Sequence, residues 1–292
     1  MALIPAQRIF HHVTAQETSV GELLKKHFHL GDERIRELLA LGCIYLNKLR
    51  VFEDCPLPRG AYLRLHLQPK RFPTDLIAWS ERVVFQSKDF LVIHKPAGIP
   101  THASVDNAVE NCLYQMRAAL KLDLYVTQRL DQPVSGLLLL AKSKKAQAQF
   151  NQWLSDRKIQ KTYWALVQNE PQTGKHIHYM EPSERSPKRL SAEPKPHWLV
   201  CELSILRVEP LVLDDQTFYQ IEIQLHTGRT HQIRAQLAAL GSPLVGDTLY
   251  GSRLKRWGSS RIGLAAVKLA WPTGGPVTLS ESALKELWHH PE

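Results

Sequence analysis

The chain has 292 residues, of which 43% are hydrophobic and 22% charged, which is ordinary for a soluble globular protein. No apolar run reaches the roughly 18 residues of a membrane span, and the N-terminus lacks the apolar core of a secretory signal. We therefore expect a cytoplasmic protein that does not bind membranes. The formal net charge of +9 favours a polyanionic partner, nucleic acid first.

Metal and cofactor signals are weak. The cysteines at positions 43, 55, 112 and 201 are widely separated and form no C-x-x-C pair. They favour reduced, mostly buried thiols over structural zinc or a disulfide framework. The sequence contains neither a dinucleotide fingerprint nor a cluster of metal ligands. It therefore predicts no metal and no cofactor.

The N-terminal part, residues 1–72, reads as a small domain. Apolar spacing predicts two short helices between residues 19 and 41, and Gly42 ends the second. Alternating residues in 43–51 and 62–67 predict strands. This part holds 11 Lys and Arg against 7 Asp and Glu, a net charge of +4, so the basic excess is densest here.

Residues 73–80 are predicted to be a linker, and residues 81–292 a larger second domain. Residues 171–197 read as a long basic loop, either without regular structure or around a short strand near residues 176–179. Because strands and helices do not alternate regularly, the pattern predicts an α+β fold with a mostly antiparallel sheet. The predicted strands of this domain are 82–86, 90–94, 124–126, 137–141, 163–168, 199–208, 218–226 and 264–271, and the predicted helices are 106–120, 144–157, 231–240 and 280–288.

The loop between the apolar runs Leu124–Val126 and Leu137–Ala141 is the first candidate for a site. It carries Arg129 and Asp131 together with Pro and Gly, which end regular structure. Asp131 is therefore expected near a strand end, where a carboxylate is well placed for chemistry. A plain surface turn is the alternative, since Asp and Pro are common in turns.

This loop resembles a family signature. Residues 128–142 are similar to the signature of the RluA-type pseudouridine synthases, His-Arg-Leu-Asp-x-x-Thr-Ser-Gly-Leu followed by an apolar strand. Further matches follow in the family's order at His94–Gly98, Lys161–Val167, Gly228–Arg234 and Gly246–Gly251. Ordered motifs together are far more specific than any one of them. The resemblance covers roughly residues 80–271.

The resemblance implies an enzyme that isomerises specific uridines in structured RNA, ribosomal or transfer RNA, to pseudouridine. We expect the protein to be a monomer. Asp131 matches the catalytic carboxylate, which acts as a covalent nucleophile or as a base at the sugar. Arg229 matches the arginine that pairs with this acid, or else contacts a phosphate. Tyr163 matches the active-site tyrosine, whose ring can stack on uracil; a core tyrosine is the alternative.

Further residues are expected to bind the substrate. Arg129 matches the arginine that helps to expel the target nucleotide from its stack. Leu264 matches an apolar position near the target base. The remaining members of the expected substrate-binding set are Lys95, His231 and Arg234.

Three positions depart from the family pattern. Gln128 replaces His, Val134 replaces Thr, and Ala265 stands where His is usual. The His and Thr side chains that this chain lacks are hydrogen-bonding neighbours of the site in the family, so their loss could alter substrate choice or rate. These departures support an alternative hypothesis, an RNA-binding or ribosome-assembly factor on a synthase scaffold with little catalysis.

A second resemblance concerns the N-terminal part. Leu38–Asn47 is similar to a pattern of the RNA-binding domain first seen in the fourth small-subunit ribosomal protein, Leu-Ile-x-x-Gly-x-Val-x-Val-Asn-Gly. Lys48 stands where that pattern ends in Gly. The resemblance implies that residues 1–72 hold RNA; a helix-hairpin packing module without RNA contact is the alternative.

Overall fold

The computed structural model describes residues 9–258 and 260–289, which divide into two compact units. The first unit contains the chain up to Ile77 together with His102–Lys121. The second contains Ala78–Thr101 and the chain from Leu122 onward. The first unit is therefore built from two separate stretches of chain.

Residues 102–121, which the sequence analysis placed in the larger domain, pack with the first unit. Glu110 explains this placement. Its buried carboxylate accepts hydrogen bonds from the backbone N–H of Phe72 at 2.7 Å and from Arg71 Nε at 2.9 Å. A carboxylate taken out of water needs such donors, so the segment stays where they are.

The first unit combines a four-stranded antiparallel sheet with a two-stranded pair. The order in the larger sheet is β1 (Ile9–Val13), β6 (Tyr62–His66), β3 (Ile44–Leu46) and β4 (Leu49–Val51), and the pair consists of β2 (Thr18–Ser19) and β5 (Pro56–Leu57). Fully buried Leu24 and Leu38, from the first two helices, share a core with Leu63 and Leu65 of the sheet. Its helices are α1 (Val20–Phe28), α2 (Asp32–Ala40) and α3 (Cys112–Leu120).

The second unit is dominated by strands. None of the helices in the described part of the chain is long and apolar enough to cross a membrane. Its elements are β7 (Val83–Gln86), β8 (Phe90–Lys95), β9 (Tyr125–Val126), β10 (Ser135–Ala141), α4 (Lys144–Ser155), β11 (Gln160–Val167), β12 (Gly174–Met180), β13 (Leu190–Ser191), β14 (Leu199–Leu213), β15 (Gln216–Leu225), α5 (Gln232–Ala239), β16 (Leu264–Trp271), β17 (Gly274–Thr278) and α6 (Glu281–Lys285).

These strands form one 11-stranded sheet. Its main path runs β13-β12-β14-β15-β11-β16-β10-β8-β7, with β17 beside β16 and β9 beside β10. Among the described pairings only β10 and β16 run parallel. The predicted α+β class with a mostly antiparallel sheet is confirmed.

Helix α4 covers part of the sheet. Ser143 caps its start, since the Ser143 side chain accepts a hydrogen bond from the backbone N–H of Ala146. The buried Phe150 and Trp153 of α4 lie against Phe90 of β8, with ring centroids 6.4 and 5.8 Å from the Phe90 ring. Aromatic packing of this kind fixes the helix on one face of the sheet.

The parallel pair β10–β16 is unusually close at Gly136. A Cβ atom at this position would lie 2.3 Å from the carbonyl oxygen and 2.4 Å from the nitrogen of Ala266. The φ angle of Gly136 is also positive, at +112°. Only glycine therefore fits where the loop carrying Asp131 enters the sheet.

Substitution Gly136→Ala should lower the free energy of unfolding by roughly 3 kcal/mol or more, because overpacking adds to backbone strain. Gly174→Ala is the matched control: its φ is +115°, but no atom lies within 4 Å of a Cβ built there. Urea unfolding of both variants measures the difference. Equal losses of unfolding free energy in the two variants would show that the close approach of β10 and β16 does not add to the cost of a side chain at Gly136.

Candidate active site

A cleft of about 660 Å³ lies in the second unit. Seven of the eight predicted site residues line it: Asp131, Tyr163, Arg229, Arg129, Leu264, His231 and Arg234. Their elements are far apart in the chain, so the fold brings together residues that sequence order separates. Lys95 does not line the cleft.

Asp131 lies in the loop between β9 and β10, and this loop is anchored on both sides of it. Before Asp131, the Thr101 hydroxyl donates to the carbonyl of Leu130 at 2.8 Å and accepts from the Leu130 N–H at 3.1 Å. After Asp131, the Gly98 N–H donates to the carbonyl of Gln132 at 2.9 Å. The carboxylate is thus presented from a fixed backbone.

Lys95 binds backbone carbonyls of the same loop. Its side chain is fully buried, and its ammonium donates to the carbonyls of Pro96, Gln132 and Val134 at 2.9, 3.1 and 2.7 Å. These carbonyls replace the water that the charge has lost. The prediction that Lys95 binds substrate is therefore corrected: its ammonium faces the backbone of the Asp131 loop and not the cleft.

Arg234 on α5 holds two carboxylates at once. Its Nη1 donates to Asp131 Oδ2 at 3.2 Å, while Nε and Nη2 donate to the two oxygens of Asp247 at 2.7 and 2.8 Å. The Arg234 side chain is 7% exposed, Asp247 is fully buried, and Asp131 is 25% exposed. Asp131 is thus the member of this cluster that faces the cleft.

This geometry corrects the predicted partner of Asp131. Among the described residues, its carboxylate lies within 4 Å of side-chain nitrogens of Arg234 and His231 and not of Arg229. Arg229 precedes α5 in an exposed turn, where its backbone N–H donates to the Gln232 side chain. Arg234, predicted to bind substrate, lies within the helix and points inward to the acid.

His231 sits between Asp131 and Tyr250. The Tyr250 hydroxyl accepts from the Lys188 N–H at 2.9 Å, which leaves its own proton for His231 Nδ1 at 3.1 Å. Burial lowers the pKa of His231, so the ring is neutral near pH 7. Its proton then lies on Nε2, which is 3.7 Å from Asp131 Oδ2.

Tyr163 and Leu264 supply an apolar wall. Tyr163 on β11 is 7% exposed, and Leu264, the first residue of β16, is 4% exposed. Burial, and secondly the charge of Asp131, raise the pKa of the Tyr163 hydroxyl, so it remains a protonated phenol. A flat apolar ring with one donor suits contact with a nucleobase.

The rim of the cleft is cationic. Arg129, Arg157 and Arg229 line it and are exposed to solvent. Arg129 Nη2 also lies 3.4 Å from the Thr230 hydroxyl. Solvated guanidinium groups around an apolar floor are suited to bind the backbone of a nucleic acid.

The sequence analysis gave no role to Asp247, Tyr250 or Arg157. Asp247 and Tyr250 belong to the family-like motif Gly246–Gly251. Their position beside glycines and outside any predicted helix or strand could have indicated a role. Arg157 follows α4 with a left-handed backbone, φ +56°, and nothing in the sequence marks it. Residues 9–258 and 260–289 contain no group of three or more His, Cys, Asp and Glu placed to hold a metal ion.

Comparison with known proteins identifies the same region. Residues 89–239, just over half of the chain, match the family model for RNA pseudouridylate synthases. The chain is 35% identical to RNA pseudouridine synthase 6, chloroplastic, of Oryza sativa subsp. japonica, over 66% of this chain and 45% of the relative. It therefore spans about half the length of that relative.

Two further similarities extend this result. The chain is 30% identical to the uncharacterized RNA pseudouridine synthase YhcT of Bacillus subtilis, over 76% of this chain and 74% of the relative. Its structure is similar to that of human RNA pseudouridylate synthase domain containing 1, with a TM-score of 0.57 and 25% identity. That match covers 70% of this chain and 85% of the human one.

Substitution Asp247→Asn should lower the free energy of unfolding by about 3–5 kcal/mol, because it breaks a buried ion pair. Asp214→Asn is the matched control. Asp214 also pairs with an arginine, Arg256, but its side chain is 70% exposed, so the loss should stay below about 1 kcal/mol. Urea unfolding compares the two, and similar small losses would contradict the structural role given to Asp247.

Proposed function

We propose that this chain, which belongs to the RNA pseudouridylate synthase family, isomerises uridine to pseudouridine in RNA at the cleft around Asp131. The observation that carries the proposal is one carboxylate at the cleft surface, held by buried Arg234 and set beside Tyr163 and Leu264. A reaction that needs one carboxylate and an enclosed base matches this arrangement.

In this reaction the bond from ribose to the base nitrogen breaks, the uracil turns, and carbon 5 forms the new bond to ribose. Asp131 starts it as a nucleophile or as a base at the sugar. The Arg234 guanidinium stabilises the negative charge that either role requires. The neutral His231 ring, with its proton facing Asp131, adds a second polar contact to the same carboxylate.

The base that turns needs a place to turn in. Tyr163 can stack on the uracil. At the end carbon 5 loses a proton and the nitrogen that ribose left gains one, and the Tyr163 hydroxyl is placed to take part in this transfer. Leu264 packs on the base from the adjacent strand. Arg129 on the rim fills the space that the expelled nucleotide leaves, and Arg229 contacts a phosphate.

The first unit is proposed to hold the RNA. Its support is the density of basic residues in 1–72 and the likeness of Leu38–Asn47 to the RNA-binding domain of the fourth small-subunit ribosomal protein. We propose ribosomal or transfer RNA as the substrate, a monomeric protein, and a cytoplasmic site of action. The family membership and the basic cleft rim support RNA as the partner.

The alternative function, an RNA-binding or assembly factor with little catalysis, makes a different forecast for Asp131. Gln128 and Val134, which depart from the family signature, both line the cleft. They are therefore placed to alter substrate choice. RNA binding would survive the loss of the Asp131 carboxylate, whereas isomerisation would not.

Substitution Asp131→Asn should reduce turnover by on the order of 10⁴-fold or more, the size seen when a catalytic carboxylate is removed. The measurement is a pseudouridine map of the RNA from cells that lack the gene and carry one plasmid-borne variant. Sites lost in the deletion should return with the wild type and with Asp123→Asn, an exposed acid near the same loop. Return of the sites with Asp131→Asn would refute the mechanism.

A further inference from the structure

Lys161 is a largely buried cation in the cleft, and none of the residues in 9–258 and 260–289 pairs with it. The residue is 8% exposed and lines the cleft. Among the described residues its ammonium forms no hydrogen bond and no ion pair. Burial lowers the pKa of this ammonium, as expected for a charge removed from water without compensation.

The position of Lys161 is set by its strand. It lies two residues before Tyr163 on β11, so both side chains point to the same face of the sheet, about 6.6 Å apart along the strand. A Cβ atom at Gly228 would lie 3.2 Å from the Lys161 Nζ. The ammonium therefore packs against the turn between β15 and α5, where glycine leaves room for it.

Other buried cations of the second unit are satisfied. Lys95 donates to three carbonyls, and Arg234 donates to two carboxylates. Among the described residues Lys161 has no such partner, and its ammonium is left to the solvent of the cleft, which hydrates a largely buried charge poorly. Lys161 is thus placed to gain from an anion that enters the cleft.

The charges of the cleft indicate which anion. Its described lining contains five Lys and Arg side chains and a single acid, Asp131, which Arg234 already pairs. We propose that Lys161 binds a backbone phosphodiester of the RNA strand next to the target uridine, an inference that rests on the proposed function. The phosphate supplies the full negative charge that a neutral uracil carbonyl lacks, and the spacing lets the neighbouring base reach Tyr163.

The stability of Lys161→Met tests the unsatisfied charge. Methionine has a similar length and no charge, so its thermal unfolding temperature should be higher than that of the wild type, because an unpaired buried ammonium is removed. The control is Lys158→Met, an exposed lysine outside the cleft lining, which should leave the unfolding temperature nearly unchanged. A lower unfolding temperature for Lys161→Met would identify a structural lysine and overturn the proposal.

RNA binding tests the phosphate. The probe is a fluorescent single-stranded oligouridylate, and its affinity is measured over a series of salt concentrations. Lys161→Met should weaken binding about tenfold or more at low salt, as expected for one charge-assisted hydrogen bond. It should also reduce the slope of log affinity against log salt by about 0.7, the share of one phosphate contact. Lys158→Met should change neither quantity.

The results separate this inference from the proposed function. Weaker binding with an unchanged salt slope would mean that Lys161 contacts a neutral base, and unchanged or salt-independent binding would mean no contact; each overturns the proposal. Pseudouridine formation is measured separately. If the salt slope differs between the wild type and Lys161→Met as expected, but the wild type forms no pseudouridine, the synthase activity is rejected and the phosphate site is retained.

Discussion

The contact between Arg234 and two carboxylates is the constraint on which the site depends. One buried guanidinium joins the loop before β10, the helix α5 and the segment that carries Asp247. Asp247 orients the guanidinium, and the guanidinium orients Asp131. One guanidinium faces two carboxylates, so the cluster keeps a net negative charge, and Asp131 at the cleft surface is its most exposed member.

The same arrangement explains what could be predicted from sequence. Strand alternation predicted the sheet class, and the Pro and Gly of the Asp131 loop predicted an acid near a strand end, but the role expected of that acid came from the family resemblance. These signals were not enough to choose between Arg229 and Arg234 as its partner. Arg234 lies in the first turn of α5, which begins after His231 with its left-handed backbone, φ +59°. A residue pattern does not reveal a single backbone turn of this kind.

Burial of cations was likewise invisible in the sequence. Lysine and arginine are normally exposed to solvent. Less than a tenth of the surface is nevertheless exposed at Lys95, Lys161 and Arg234. Their environments differ: Lys95 donates to carbonyl oxygens and Arg234 to carboxylates, whereas Lys161 has neither partner in the part of the chain that the structure describes. Those surroundings come from loops that only the tertiary fold brings together. The i, i+2 spacing of Lys161 and Tyr163 was the one local signal that a cation shares a face with the candidate tyrosine.

The two-part construction of the first unit affects how the protein can be dissected. A truncation at the predicted linker, residues 73–80, would remove Arg71 and Phe72 and leave the buried Glu110 carboxylate with the Asn107 amide as its remaining side-chain donor among the described residues. Residues 102–121 would then remain attached to the second unit without the rest of the first unit to pack against. A separately expressed second unit therefore needs residues 102–121 removed as well and its two stretches, which end at Thr101 and begin at Leu122, rejoined by a linker.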